Sequence, residues 1–502
     1  MMPGSKVFPH GKLACQWVTD FMTRPNMSVK WCKAARKHEY LIGLWECKAR
    51  NNPLASFDLN ISIIGRYFMK LKKAMSMLAT VAMTTSLLAG CGSSASQATG
   101  SDVKGEIAPA ETAATTSETP AASGDREEVV IWDYFETDAQ KKMMDTLLSG
   151  FNSSQDKYTA THSYVPFADY EKQLTLGIAS GELPDVVILD GCDMASFISM
   201  GLFGDISDAN IDWSEYIEGP MNSTMMDGKH YGLPFATNCT ALFYNKDILD
   251  AAGVEYPDEN TTWEEFHEKA KKLTDYGVTG FGNAAIGTDE GTFQCLQWLY
   301  TAGGSYTDIT GGQAAYELMQ DMIKDGSWSK ECVNWAQSDV CYNWMAGNIA
   351  MMQNGPWQVP GIAENAADLN YGVTVLPKKD ASSGQATSIL GGENMGAVKK
   401  DNMDGAKAFL EYYNQTDVMV TAMKQYGSFP PKTEAAKDTY WTEDPIMSEF
   451  ITQLDTSIPR GPSPIWPSYS NAIQTGFQEV LTLSKTPEQA AKDTQAAVDA
   501  VK

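Results

Sequence analysis

The chain has 502 residues, with 63 Asp and Glu against 38 Lys and Arg and a formal net charge of −25. So large an acidic surplus excludes nucleic acid and the anionic face of a bilayer as partners held by the chain's own charge. Residues 127–502 number 376, past the size at which one hydrophobic core keeps growing, which predicts two lobes.

Taken in order, residues 1–68 are basic (10 Lys and Arg, 4 Asp and Glu) and show no sustained period of two or of 3.6. Cys15, Cys32 and Cys47 form no CxxC pair, and His10 and His38 lack finger spacing, so a small zinc module is not expected. In residues 69–90, Lys70, Lys72 and Lys73 form a positive start, an apolar run follows, and Leu88-Ala89-Gly90 sets small residues before Cys91. That order is a secretory signal, too short and wrongly flanked for a spanning helix. Such a signal normally begins the translated chain, so residues 1–68 read as a mis-assigned upstream extension. Leu88-Ala89-Gly90-Cys91 resembles the bacterial lipobox, which implies cleavage before Cys91 and lipidation of its thiol. Two acyl chains hold a durable anchor where one is marginal. Residues 1–90 carry a net +9, which leaves −34 on the remainder. Residues 91–128, rich in Ser, Thr, Ala, Gly and Glu with almost nothing to bury, read as a flexible tether.

The folded part opens with Glu127–Trp132 as a strand, Asp138–Phe151 as a helix with Met143, Met144, Leu147, Leu148 and Phe151 on one face, Tyr158–Val165 as a strand, Tyr170–Ala179 as an amphipathic helix, and Val186–Leu189 as a buried strand. Strand, helix, strand, helix, strand specifies a parallel α/β sheet, whose ligands meet the carboxyl ends of the strands, at Trp132–Glu136 and Leu189–Asp193. Thr262 with Glu265 predicts a capping box before a helix ending near Leu273. Phe293–Tyr300, Gln313–Lys324 and Val340–Gly347 supply further helical faces, and Ile349–Met352 is a buried strand turned by Asn354-Gly355-Pro356-Trp357. Later helices are expected at Ala406–Tyr413, Val418–Tyr426, Ser468–Lys485 and Pro487–Val501, the last with Thr486 as N-cap and Pro487 at the first helical position. Five cysteines remain here (Cys192, Cys239, Cys295, Cys332, Cys341). An odd number without close spacing argues against a disulfide scaffold. Cys332 and Cys341 could pair, but buried free thiols are expected.

Several stretches together resemble the extracellular solute-binding proteins that feed ABC importers, in the carbohydrate-binding group that includes the maltose-binding protein: SGELPDVV from Ser180, FISMGLFGDISD from Phe197, YGLPFATNCTALFYNKD from Tyr231, GNIAMMQNGPW from Gly347, YGVTVLP from Tyr371 and TPEQAAK from Thr486. They span nearly all of residues 127–502. The resemblance implies a two-lobed α/β fold of the periplasmic-binding-protein type with an interlobe cleft, a first lobe over 129–237, a second over 238–388, and a return at 389–502 with C-terminal helices shared between lobes. It makes Phe235–Tyr244 the first crossing between lobes and places the second near Ala386–Val398, where Gly391 and Gly392 suit a hinge.

Sugars present flat C–H faces ringed by hydroxyls, so a site for them needs aromatic plates plus Asp, Glu, Asn or Arg. The resemblance implies Trp357 as a plate, Trp466 and Tyr469 in the late cleft segment, and polar and aromatic contacts at the first strand end. There Tyr134 and Glu136 are preferred to Trp132, whose apolar strand favours the core. Asp190 and Asp193 follow the third strand, Asn238 lies in the first crossing where relatives often carry Glu, and Glu393 and Asn394 follow the second. Trp298, Tyr300 and Arg460 rank lower, Arg460 as a clamp for an acidic sugar.

No GxSxG, HExxH, P-loop or GxGxxG after a strand occurs, and Asp205–Asp212 lacks calcium-loop spacing, so no enzyme activity, metal or cofactor is expected. The resemblance implies a monomeric, lipid-anchored binding component on the extracellular face of the cell membrane, delivering a sugar or oligosaccharide to an ABC permease. The alternatives are a secreted lipoprotein glycosidase built on Glu136 with Asp190 or Glu393, and the same fold with a non-sugar solute such as a polyamine, phosphate or metal complex.

Overall fold

A computed structural model describes residues 126–502. The extension at 1–68, the signal at 69–90, Cys91 and nearly all of the tether expected at 91–128 lie outside the described residues. Numbering strands along the chain, the first sheet runs β2 (Tyr158–Tyr164), β1 (Glu127–Asp133), β3 (Val186–Asp190), β12 (Glu393–Ala397), β6 (Gly232–Pro234). β2, β1 and β3 pair in parallel, as the strand–helix alternation dictates. β12 instead runs antiparallel between β3 and β6, so the sheet is mixed. It enters from the other half of the molecule, without the crossover helix that a parallel neighbour requires.

The helix Asp138–Ser154 begins at a capping box, Thr137 with Gln140, and buries Met143, Met144, Leu147, Leu148 and Phe151, the face its periodicity predicts. The second sheet is β10 (Tyr371–Thr374), β7 (Ala241–Asn245), β9 (Ile349–Asn354), β8 (Thr279–Gly282). Every residue of β7 and of β9 is buried, as expected of strands covered on both faces. The Thr262/Glu265 capping box forms and starts the helix Trp263–Tyr276. Helices Asp404–Tyr413 and Thr416–Tyr426 pack on the first-sheet side, whereas Met447–Leu454, Trp466–Leu481 and Pro487–Val501 pack with the second-sheet strands and helices. Thr486 caps the last helix through the Gln489 N–H, with Pro487 at its start.

Two chain crossings lie side by side between the sheets. Asn238 and Gly391 exchange both backbone hydrogen bonds, at 3.1 and 2.9 Å, and Thr237 does the same with Phe429. Gly392 has φ +126°, and a Cβ there would collide with the Ala236 carbonyl, so only glycine lets the two crossings approach. β11 (Ile389–Leu390) pairs with β13 (Ile458–Pro459) to add a third segment, and β4 (Met225–Met226) with β5 (Lys229–His230) forms a small hairpin beside the first sheet. Beneath the crossings, Thr240, Gln297, Gln353 and Ser388 satisfy one another through hydrogen bonds of 2.6 to 3.0 Å. The main apolar core is continuous through this neck, where Phe235 stacks on Tyr413 and Phe243 meets Phe450. All five cysteines among the described residues are buried and unpaired. Among the described residues no helix is long and apolar enough to cross a membrane.

Candidate functional site

The register of the first sheet gathers chemistry at one edge. β1 and β3 end there while the antiparallel β12 begins there, so Glu393 stands opposite Asp190 and Tyr134 follows directly on β1. From the other side, the helix Asp289–Thr301 points its first turn, Asp289 and Glu290, at the same space, and the turn after β9 brings Trp357. Between these walls lie three adjoining cavities of about 100, 220 and 190 Å³. The first is bounded by Tyr134, Phe167, Phe293, Trp357 and Tyr426 as aromatic faces and edges, and by Glu136, Asp190, Asn238, Asp289, Glu290, Gln337, Glu393 and Arg460 as polar groups.

Arg460 borders the first and third cavities and joins the two walls. Its Nη2 donates to both Asp190 carboxylate oxygens at 2.7 Å, and its Nη1 donates to Asp289. The guanidinium lies 4.6 Å from the Phe293 ring centroid and 5.7 Å from that of Trp466, and the residue is only 3% exposed. Asp289, its side chain 9% exposed, also accepts from Ser470 Oγ at 2.6 Å and Trp466 Nε1 at 3.0 Å. Buried ion pairs need this degree of hydrogen bonding to offset the desolvation of each charge.

Glu393 accepts from Tyr426 Oη at 2.6 Å and more weakly from Tyr134 Oη at 3.4 Å, both on Oε1. Its Oε2 is buried without a partner. Burial, reinforced by the Asp190 charge and opposed by the Tyr426 hydrogen bond, pushes its carboxyl up to about 7. Glu290 is likewise pushed up to about 7, by burial first and then by Glu136, although it accepts from the Gln337 N–H at 2.9 Å. In the second cavity burial raises Glu171 to about 7, with Asp289 and Asp190 adding to it, and burial with the Glu171 charge raises Asp193.

Six of the ten expected ligand residues (Tyr134, Glu136, Asp190, Asn238, Trp357, Glu393) meet at the first cavity. Trp357 is 8% exposed, tilted against Phe293 with centroids 6.3 Å apart. Asp193 lines the second cavity, at the start of the short helix Met194–Ser199. Asn394 is turned away from the first cavity, bonded to Ser223 Oγ at 2.9 Å, and borders the third. Trp466 and Tyr469, expected in the late cleft segment, border none of these three cavities. Trp466 is 0% exposed and serves Asp289 as a donor, while Tyr469 packs on Tyr306 with centroids 5.3 Å apart. With none of its surface exposed, the Trp466 ring has no face left for a solute. Trp298 is buried, its Nε1 donating to Gln353, and Tyr300 lies near Tyr306 with its hydroxyl 3.5 Å from the Tyr306 N–H. Arg460 is central, but it clamps the protein's own carboxylates.

Asp289, Glu290, Phe293, Gln337 and Tyr426 were not singled out from the sequence. The acidic pair opening a helix in Gly287-Thr288-Asp289-Glu290 was the one available signal, since first-turn carboxylates there also have an ordinary capping explanation.

With this geometry in hand, the comparisons with known proteins are decisive for the family. The model for bacterial extracellular solute-binding proteins matches residues 146–449, more than half of the chain. The chain belongs to that family. Relatives of this solute-binding protein include the galactooligosaccharide-binding protein of Bacillus subtilis, 25% identical over 352 residues covering 65% of this chain and 78% of that protein. Another is an sn-glycerol-3-phosphate-binding periplasmic protein of Agrobacterium fabrum, 24% identical over 357 residues covering 64% and 79%. Among solved structures, a maltose-bound protein of T. maritima superposes with a TM-score of 0.69 at 21% identity, covering 75% of this chain and all of that one, a likeness of fold. The two-lobed architecture with its cleft is therefore the family's own.

Proposed function

We propose that this solute-binding protein is the lipid-anchored extracellular component of an ABC importer that captures a sugar or oligosaccharide by hinge closure and hands it to a membrane permease. The observation that carries the reading is the first cavity, where aromatic rings alternate with carboxylates and amides between two walls joined by paired crossings. Apolar faces for C–H surfaces and acceptors for hydroxyls are what a saccharide asks of a site. The abundance of carboxylates, with Arg460 already engaged by Asp190 and Asp289, speaks against a phosphate-bearing solute such as the glycerol phosphate bound by one relative. Closure follows from contacts with both walls, which a ligand gains only when the lobes approach. Acylation of Cys91, release of residues 1–90, extracellular placement and a monomeric state belong to the same proposal.

A thermal-shift panel of mono- and oligosaccharides tests it, because a ligand at 100 times its Kd adds about 2.7 kcal/mol to the folded state. A saccharide-dependent rise in melting temperature is expected; a panel with no shift, alongside a shift with phosphate esters, would overturn the reading. The Glu393 carboxyl, pushed up to about 7 by burial and carrying a free oxygen across from Asp190, has the character of a general acid, which gives the glycosidase alternative its one support. Chromatography of oligosaccharides incubated with the protein is expected to return them intact.

A further inference from the structure

Glu393 Oε2 has no hydrogen-bond donor although the residue is only 6% exposed and borders the first cavity. An orphaned carboxylate oxygen at that depth calls for a donor from whatever fills the space. The charge around it narrows the choice. Glu136, Asp190, Asp289, Glu290 and Glu393 border this cavity against the single cation Arg460, which Asp190 and Asp289 already share. Fully ionised, the wall carries −4, and no lysine borders it.

A neutral solute closing over this wall would supply hydroxyl donors but strip water from carboxylates without compensating their charge. An ammonium group supplies up to three donors, a compensating charge and hydrogen bonds roughly twice as strong as neutral ones. The rings of Tyr426 and Trp357 on the same cavity offer it further attraction. Resting on the saccharide reading above, we infer that the cleft takes a saccharide bearing a protonated amine, with the ammonium against the free oxygen of Glu393.

The inference carries a pH signature. Glu393 is faced by Tyr134 and Glu136 after β1, by Asp190 at the end of β3, by Tyr426 from its helix, by Asp289 and Glu290 across the cleft, and by Arg460. Without a cation, burial pushes the Glu393 and Glu290 carboxyls up to about 7, so each is protonated in about half of the molecules at neutral pH. An ammonium displaces those protons, so affinity climbs with pH through 7, by up to about tenfold per unit for each proton released.

The test titrates the purified protein with saccharides offered in pairs: glucose and glucosamine, galactose and galactosamine, and diacetylchitobiose and its fully deacetylated form, with spermidine as a separate arm. At least one amine-bearing member is expected to bind tenfold or more tightly than its neutral partner at pH 7.5 and more weakly at pH 6. Glu393→Gln should erase most of that preference. Glu290→Gln, read the same way, covers the case in which the first variant does not fold. Neutral members binding as well as or better than their amines would overturn the inference and leave the saccharide reading standing. Spermidine binding while every saccharide fails, or no binding in any arm, would overturn both.

Discussion

The two walls of the cleft are built differently. On the first-sheet side, Asp190 and Glu393 sit at facing strand ends, fixed by backbone register, with Asn238 in the adjoining crossing. On the second-sheet side, Asp289 and Glu290 come from the first turn of a helix, Gln337 from the start of another and Trp357 from a turn, held in place by side chains such as Trp466 and Ser470. One wall is positioned by the sheet, the other by long-range side-chain contacts, and Arg460 is the group that touches both. The difference teaches that the first wall keeps its shape through substitution of single side chains, whereas the second depends on a few of them.

The largest effect should come from breaking the join. Arg460→Met leaves Asp190 and Asp289 facing each other without a cation, and removal of one member of a buried ionic group costs about 3–5 kcal/mol. A drop of that size in the urea unfolding free energy is expected; a loss under about 1 kcal/mol would mean that the walls stand independently.

Trp466→Phe probes the side-chain scaffold of the second wall alone. It deletes the indole donor to Asp289 while Ser470 and Arg460 remain, for an expected loss of about 1–3 kcal/mol by the same unfolding measurement. An unchanged midpoint would show that Asp289 is held without it.

The third test turns to the first wall and to pH. The Glu393 carboxyl is raised from its ordinary 4.5 to about 7 in the folded protein, so the folded state binds the extra proton between those values. This group's contribution to stability is therefore fully present below about pH 4.5, declines as pH rises, and is gone above about 7. Glu393→Gln removes that decline. At pH 8 the unliganded variant should melt at least about 2 °C above the wild type, with the difference vanishing near pH 4.5. A variant that melts lower at pH 8 would contradict the burial of an ionised Glu393.

The contrast between the walls also explains what was legible in the sequence. β1, β3 and the helix Asp138–Ser154 follow from period and capping, which are local, so Tyr134, Asp190 and the general edge of the first sheet could be placed. Gly391-Gly392 marked the second crossing for the same reason: a backbone requirement writes itself into one or two residues. The second wall depends on contacts across more than 170 residues, such as Arg460 and Trp466 with Asp289. Periodicity holds no record of those. The sequence therefore points Trp466 to the cleft, whereas the structure makes it a buried donor, and suggests Arg460 as a ligand clamp, whereas the structure makes it a tie between lobes. The antiparallel entry of β12 was hidden likewise, because it is a property of the return path.

The central claim is that one saccharide is held in the first cavity between both walls, with Trp357 as its apolar surface. Isothermal titration of the saccharide giving the largest melting shift, into wild-type protein and into Trp357→Ala, tests it most directly. The account predicts saturable one-to-one binding to the wild type and binding at least tenfold weaker to the variant, about 1.4 kcal/mol. Equal affinities for the two proteins would contradict it.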